Sequence, residues 1–225
     1  MSTIYISAVL AKVVEVTGEA AYGQTSKEQM VAWLCEGETI IVKEKPDAFT
    51  KVATEQMAAG TRQTLASDGL LFLMPVCNMG TDGNTPGDVV YLADMDQLNR
   101  SNPAWHSATG NAAINSICFN LNDPKAFYVS PPQPEADQGF LRYVYSAIPP
   151  VITITAENYD VTFNLGDEYA PNLVNYILAR VYSKDAGQML GADALSRAQT
   201  YNSLFVNSLR EQDAIEEIKD PNKKV

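Results

Sequence analysis

The spacing of apolar residues changes twice along this 225-residue chain, and that change limits its fold more than any other feature of the sequence. In two early segments the apolar residues recur every three or four positions, which predicts two helices. Ser26, with Gln29 three residues later, is the predicted N-cap of the second helix, and Gly37 should weaken it. The first stripe comprises Ile6, Val9, Leu10, Val13 and Val14, and the second comprises Met30, Trp33, Leu34 and Ile41.

From residue 47 to residue 155 the apolar runs are short and are separated by Gly, Pro, Asn and Asp, which predicts strands and turns. Prolines such as Pro131 and Pro132 are expected between strands, where no ladder N–H is needed. Segment 79–88 is predicted to be a long surface loop. The predicted strands are 52–57, 70–76, 89–92, 114–119, 126–129, 141–146 and 151–155.

After Gly166 the helical spacing returns and predicts two longer helices, with Asp167 as a cap and Pro171 in the first turn. The sequence therefore predicts an α+β fold, in which a four-helix bundle from the two chain ends carries an inserted antiparallel β-rich domain. The predicted divisions are a first helix pair, the β-rich domain, a second helix pair and a C-terminal tail, at residues 1–48, 49–155, 156–214 and 215–225.

The chain is acidic, with 27 Asp and Glu against 16 Lys and Arg and a net charge of -11. The charge is spread almost evenly, and the only basic cluster is Lys219, Lys223 and Lys224. Because a field of this sign repels a phosphate backbone, stable binding of nucleic acid is not expected.

A single histidine, His106, excludes most familiar catalytic arrangements, because zinc sites and histidine relays need several partners. A Ser-His-Asp arrangement remains formally possible, but the sequence has no G-x-S-x-G turn. No glycine-rich loop precedes a lysine and a serine or threonine, so nucleotide binding has no support. We therefore predict no catalytic residue, no cofactor and no metal site.

Two acidic patterns admit a second interpretation. Residues 82–88 match a calcium-binding loop only in part, because Pro86 occupies a ligand position and Ala93 stands where the closing glutamate should be, so a turn is predicted. Neighbouring carboxylates such as Asp94 and Asp96 could in principle serve a hydrolase, but such pairs are expected by chance in so acidic a chain.

Cys35, Cys77 and Cys118 lie far apart and form no C-x-x-C pair, which predicts reduced cysteines in a protein that folds in a cytosol. The N-terminus lacks the basic region of a signal peptide, and the most apolar stretch, 69–77, is too short to span a membrane, so we expect neither secretion nor membrane insertion. The eleven tyrosines fit core edges or a subunit interface equally well.

Several runs of residues occur in an order and spacing that are more specific than any one of them. They are WLCEG at 33–37, KPDA at 45–48, AGTRQ at 59–63, segment 78–87, NPAWH at 102–106, DPKAFYVSPP at 123–132, YSAIP at 145–149, and segment 169–185 followed by Ala198, Tyr201 and Phe205. Together they resemble the head-to-tail adaptor (connector) proteins of short-tailed bacteriophages, over almost the whole chain. The sequence departs from the family pattern at Cys35 and at Leu65-Ala66, which affects local turns.

The resemblance implies a ring of about twelve copies below the portal vertex, closed by head-to-tail contacts between two different faces of each subunit. Such a ring joins the portal to the tail nozzle or fibre proteins, and genomic DNA passes through it without specific binding. In such adaptors the C-terminal segment reaches the portal and the β-rich part faces the tail. The implied portal-docking residues are Ile215, Ile218, Lys219, Asp220, Pro221, Asn222, Lys223, Lys224 and Val225.

The resemblance also implies that the protein is made in the host cytoplasm and works in the neck or tail of the virion, away from any membrane. Three alternatives remain open at this point: a tail-tube or nozzle component, a virion-associated hydrolase, and a soluble binding module derived from the host. A tail-tube component should be longer or richer in strands, and the lone histidine argues against the hydrolase.

Overall fold

The computed structural model describes residues 2–18, 25–120, 122–154, 160–186 and 191–219, with side chains at all of these except 191–192 and 211–219. The described part of the chain forms a mixed α+β fold, as predicted. Its helices are α1 (Ile6–Thr17), α2 (Lys27–Glu44), α3 (Met95–Ser101), α4 (Ala170–Ala186) and α5 (Gly191–Lys219), and its strands are β1 (Thr50–Gln56), β2 (Gly60–Thr64), β3 (Gly69–Asn78), β4 (Tyr91–Leu92), β5 (Ser116–Phe119), β6 (Ala126–Gln133) and β7 (Phe140–Ala147).

The chain divides into two compact units. The helical unit comprises Met1–Glu44 and Pro149–Val225, and the β unit comprises Lys45–Ile148. Each unit buries apolar side chains of its own, so each has a core that can be described separately.

In the helical unit, α4 is the central helix and packs against α1, α2 and α5. Helix α2 approaches α4 at Gly37, where a Cβ atom would lie 3.1 Å from side-chain carbons of Leu173 and Tyr176. Gly37 therefore permits close helix packing, beyond the weakening of α2 that its helix propensity predicts. The predicted four-helix bundle is not confirmed, because among the described residues α5 packs extensively on α4 but not on α1 or α2.

A buried carboxylate joins α2 to the chain that returns from the β unit. Glu38 is fully buried, and its carboxylate accepts hydrogen bonds from the backbone N–H and the side-chain amide of Asn164, at 2.5 and 2.8 Å. Burial raises the pKa of Glu38 above its usual value, and the Asn164 hydrogen bonds oppose that rise. Nothing in the sequence pattern predicted that this acidic residue faces the interior of the unit.

Asp167 also joins distant parts of the helical unit, and the prediction that it caps the following helix is wrong. Its carboxylate accepts hydrogen bonds from the Ser2 hydroxyl at 2.6 Å and from the Thr3 backbone N–H at 2.7 Å, as well as from the Thr3 hydroxyl. These hydrogen bonds lower the pKa of Asp167 to about 2. The carboxylate thus holds the N-terminal segment instead of the first turn of α4.

Replacing Asp167 with asparagine is expected to loosen this N-terminal segment. The amide group loses the charge and one acceptor oxygen, so the Thr3 and Ile4 amides should exchange hydrogen faster than in the wild-type protein, as measured by NMR protection factors. Because the folded-state pKa is depressed, the same loosening should occur in the wild-type protein as the pH falls through about 2, while the segment stays held above the ordinary aspartate value. Asp160→Asn is the matched control, and equal protection in the two variants would contradict the prediction.

The β unit contains two sheets. One has the order β1-β7-β3, and the other has the order β2-β6-β5-β4, in which only β4 and β5 run parallel among the described pairs. The rings of Phe72, Phe127 and Tyr143 meet at the centre of the core, with centroids 4.7 to 5.7 Å apart. The surrounding core residues include Leu65, Val90, Ile114, Ile117, Val129, Leu141, Tyr145 and Ala147.

The prediction that Pro131 and Pro132 separate strands is wrong, because both lie within β6. Pairing of β6 with β5 ends at Ser130, and pairing with β2 shifts register between Tyr128 and Gln133, so neither proline needs to donate an N–H. The predicted strand 151–155 is also wrong for residues 151–154, which belong to no regular element, while residue 155 lies outside the described residues.

Apolar periodicity predicted neither β2 nor α3. Strand β2 has no apolar side chain, yet Gln63 is buried. The side-chain oxygen of Gln63 accepts a hydrogen bond from the Ala58 N–H at 2.7 Å, and its side-chain NH2 group donates one to the Ala58 carbonyl oxygen at 2.8 Å. Helix α3 buries no residue, and its N-cap is Asp94, whose carboxylate accepts a hydrogen bond from the Gln97 N–H at 2.8 Å. Both elements depend on polar contacts, which apolar periodicity does not reveal.

Candidate docking surfaces

The predicted portal-docking segment lies only partly within the described chain. Ile215, Ile218 and Lys219 belong to the backbone of α5, but their side chains are outside the described residues. The remaining members, Asp220, Pro221, Asn222, Lys223, Lys224 and Val225, lie outside the described residues altogether. Docking by this segment therefore stays a prediction.

The described side chains of α5 hold it on α4 as far as Leu209. The ring of Phe205 packs against Tyr176 with centroids 5.2 Å apart, and the buried amide of Asn172 donates a hydrogen bond to the Ser208 hydroxyl at 2.8 Å. The buried positions Ala194, Ala198, Phe205 and Leu209 follow helical spacing. The backbone of α5 then continues as helix through Lys219.

A groove of about 390 Å³ runs between α4 and α5. The guanidinium group of Arg180 lies over the Tyr176 ring at 5.4 Å and bonds the Glu36 carboxylate at 2.6 Å. The groove is lined by Tyr176, Ala179, Arg180, Leu195, Ala198 and Asn202, among others. Its lining therefore combines apolar side chains with the polar side chains of Ser183, Gln199 and Asn202, and Arg180 places one cation at its edge.

The β unit exposes apolar side chains on one sheet face and at one sheet edge. On the three-stranded sheet, Val52 pairs with Val144, which pairs with Met74, and both outer members of this row are exposed. Tyr91 and Leu92 of the edge strand β4 are exposed as well. Apolar rows on the outer face of an antiparallel sheet are typical of contact surfaces.

His106, the lone histidine, takes part in a local packing arrangement. Its Nδ1 lies 2.8 Å from the Thr61 hydroxyl, and its ring stacks on Trp105 with centroids 3.8 Å apart. The described hydrogen bonds of His106 include no carboxylate, so they do not assemble the Ser-His-Asp arrangement that the sequence left formally possible.

The three cysteines are free thiols. Burial raises the pKa of Cys118 to about 11 and also raises the pKa of Cys35, so both thiols are protonated at neutral pH and are weak nucleophiles. The turn predicted at 82–88 is present: the Asp82 carboxylate accepts hydrogen bonds from the Asn84 and Thr85 backbone N–H groups and from the Thr85 hydroxyl. Within the described residues, no three Asp, Glu, His or Cys side chains group as metal ligands would.

Most of the described tyrosines are buried, which is nearer to the core-edge alternative than to the subunit interface that the sequence also left open. Tyr128 and Tyr201 are half-buried, whereas the rings of Tyr5 and Tyr91 are exposed and remain available to a partner. The buried members are Tyr143, Tyr145, Tyr169, Tyr176 and Tyr182.

Within the described chain, no helix combines the length and the apolar character needed to cross a membrane. A search of curated proteins found no match. A family model described as SU10 adaptor protein matches residues 6–223, which include nearly all of both units. The chain therefore belongs to the SU10 adaptor protein family of phage head-to-tail adaptors and is a structural protein of the virion whose role implies contacts with portal and tail proteins.

Proposed function

We propose that copies of this chain form the ring that joins the portal to the tail nozzle, with about twelve subunits closed by head-to-tail contacts. The family match is the observation that carries the proposal, because it extends from α1 to residue 223 and so includes the helical unit, the β unit and most of the C-terminal segment. The adaptor family also suggests a structural role and not an enzymatic one.

In this proposal, residues 215–225 dock on the portal. Helix α5 is about 44 Å long at 1.5 Å per residue, and its described side chains fix it on α4 only as far as Leu209. The segment that follows carries the basic cluster of the chain, Lys219, Lys223 and Lys224, which would pair with acidic residues of the portal. An anchored helix that leads into a basic end suits a docking arm.

The β unit would face the tail proteins in this arrangement. The row Val52–Val144–Met74 and the exposed edge of β4 supply apolar contact surface there. The net charge of -11 supports passage of DNA without retention, because phosphates that move past an acidic wall meet no deep energy minimum.

Removing residues 215–225 is expected to weaken binding to the cognate portal protein while both units stay folded. Loss of the docking segment should weaken binding by about tenfold or more, which is about 1.4 kcal/mol or more. Binding is measured by co-sedimentation with purified portal particles, and folding is checked by circular dichroism and thermal unfolding.

A variant with Lys219, Lys223 and Lys224 changed to glutamate is the control that separates charge from length. Weaker binding by both variants supports electrostatic docking, and loss in the truncation alone supports docking through the apolar residues Ile215 and Ile218. Unchanged binding by the truncated chain would show that the docking surface lies elsewhere. Negative-stain images of the wild-type complex test the ring itself.

A further inference from the structure

One flank of α5 is exposed beside the groove that α5 forms with α4. Leu195, Gln199, Asn202 and Val206, named here the α5 row, are spaced by four, three and four residues and so share one side of the helix. Leu195 is 51% exposed and Val206 is 36% exposed. No residue from Ala198 to Leu209 is charged, although charged side chains are the rule on the solvent face of a helix.

Helix α1 also leaves apolar residues uncovered. The α1 row, as we name it, consists of Tyr5, which directly precedes α1, and of Ala8, Lys12 and Val16 of the helix; its members recur at three and four residues beside the buried stripe that α1 contributes to the core. Tyr5 is 49% exposed and Val16 is 46% exposed. Exposed apolar side chains that share one side of a helix are typical of a surface that a partner covers.

The two rows match in length. Tyr5 and Val16 are eleven residues apart, as are Leu195 and Val206, and eleven residues correspond to about 16.5 Å along a helix. Helices α1 and α5 both pack on α4, but within the described residues they make no extensive contact with each other. The helical unit therefore presents two different surfaces of equal length, and a head-to-tail contact between identical chains requires two different surfaces.

Charge favours a second copy as the occupant of the groove. Each copy carries a net charge of -11, so copies repel one another unless the contacting surfaces are poor in carboxylates. The α5 row has no charge, and the α1 row has only Lys12, whose sign is opposite to that of the whole chain. Glu36, which is half-exposed and bonded to Arg180 at the groove, offers Lys12 an acceptor.

We propose that, in the ring, the α1 row of each copy seats on the α5 row and the α4–α5 groove of its neighbour. This inference rests on the proposed function, because it names the surfaces that close the proposed ring. Depletion of charge at the centre and apolar side chains that fit a groove are the usual properties of such a contact.

Disulfide cross-linking in the full-length chain, assembled on portal particles, tests the contact. Two double variants cover both orientations of one helix on the other: Val16→Cys with Val206→Cys, and Val16→Cys with Leu195→Cys. After oxidation, one of them should give a ladder of covalent oligomers on a non-reducing gel. Ala11→Cys with Val206→Cys is the matched control, since Ala11 is exposed on a different side of α1 and should give no ladder. The wild-type chain gives the background from Cys35, Cys77 and Cys118.

The outcomes separate the contact from the ring. If negative stain shows a portal-bound ring but neither double variant gives a ladder, the proposed contact is wrong and the proposed ring still stands. Dimers from Val206→Cys alone would also overturn it, because like surfaces would then meet. A ladder without a ring supports the contact and overturns the proposed function, while the absence of both overturns both.

Discussion

Replacing Phe127 with alanine is expected to lower the free energy of unfolding of the β unit by about 3–5 kcal/mol. Phe127 is fully buried on β6, and its ring lies 4.7 Å from that of Phe72 and 5.5 Å from that of Tyr143. Truncation leaves a cavity between two sheets whose strands are paired and cannot easily close around it.

The two tryptophans allow this loss to be measured in the β unit alone. Trp105 is buried in the β unit and Trp33 belongs to α2, so denaturant unfolding followed by fluorescence in a Trp33→Phe background reports on the β unit. Tyr91→Ala is the matched control, because Tyr91 is an aromatic residue of the same unit that is 70% exposed, and its loss should change stability by at most about 0.5 kcal/mol. Equal effects of the two truncations would contradict the assignment of Phe127 to the core.

Gly139→Ala is expected to destabilise the β unit by about 2–3 kcal/mol, since an added methyl group has no space. A Cβ atom at Gly139 would lie 2.0 Å from the backbone oxygen of Ala112. The neighbouring hydrogen bonds resist a shift: the Gly139 N–H donates to the side-chain oxygen of Gln133 at 2.8 Å, and the amide of Gln133 donates to the Asn111 oxygen at 2.9 Å. Because the clash involves backbone and not a flexible side chain, rotation of a side chain does not relieve it.

Gly87→Ala is the control for this substitution. A Cβ atom there would lie 3.5 Å from the nearest carbon of Asn78, which is ordinary van der Waals contact. Its unfolding free energy, measured in the same Trp33→Phe background, should stay within about 0.5 kcal/mol of the wild-type value. A similar cost at both glycines would contradict the assignment of the cost to the clash at Gly139, because the entropy of the unfolded chain favours alanine over glycine.

The sequence predicted the main elements where apolar burial alone specifies them. The stripes beginning at Ile6 and Met30 form α1 and α2, and the predicted N-cap is present because the Ser26 hydroxyl accepts a hydrogen bond from the Gln29 N–H at 3.2 Å. Periodicity failed at β2 and α3, whose contacts are mainly polar, and at residues 151–154, whose apolar side chains suggested a strand that no neighbouring strand pairs within the described residues. Strand formation needs a partner as well as a suitable pattern.

The candidate docking surfaces were harder to predict from the sequence than the secondary structure. The resemblance implied that residues 215–225 dock on the portal, but nothing in their pattern could reveal the groove between α4 and α5, because a groove exists only once two particular helices pack together. Nor could the sequence distinguish Asp167 as a cap from Asp167 as a partner of Ser2 and Thr3, since those residues are more than 160 positions apart.

The sequence by itself determined the α+β class, the order of the long helices and the family, because these depend on local periodicity and on the spacing of short runs along the chain. Only the tertiary structure decided that α4 is central, that Glu38 and Asp167 hold distant segments, and that the rows on α1 and α5 remain uncovered. These features are set by contacts between residues far apart in the chain, and the energy of such a contact depends on its three-dimensional surroundings, which no local pattern encodes.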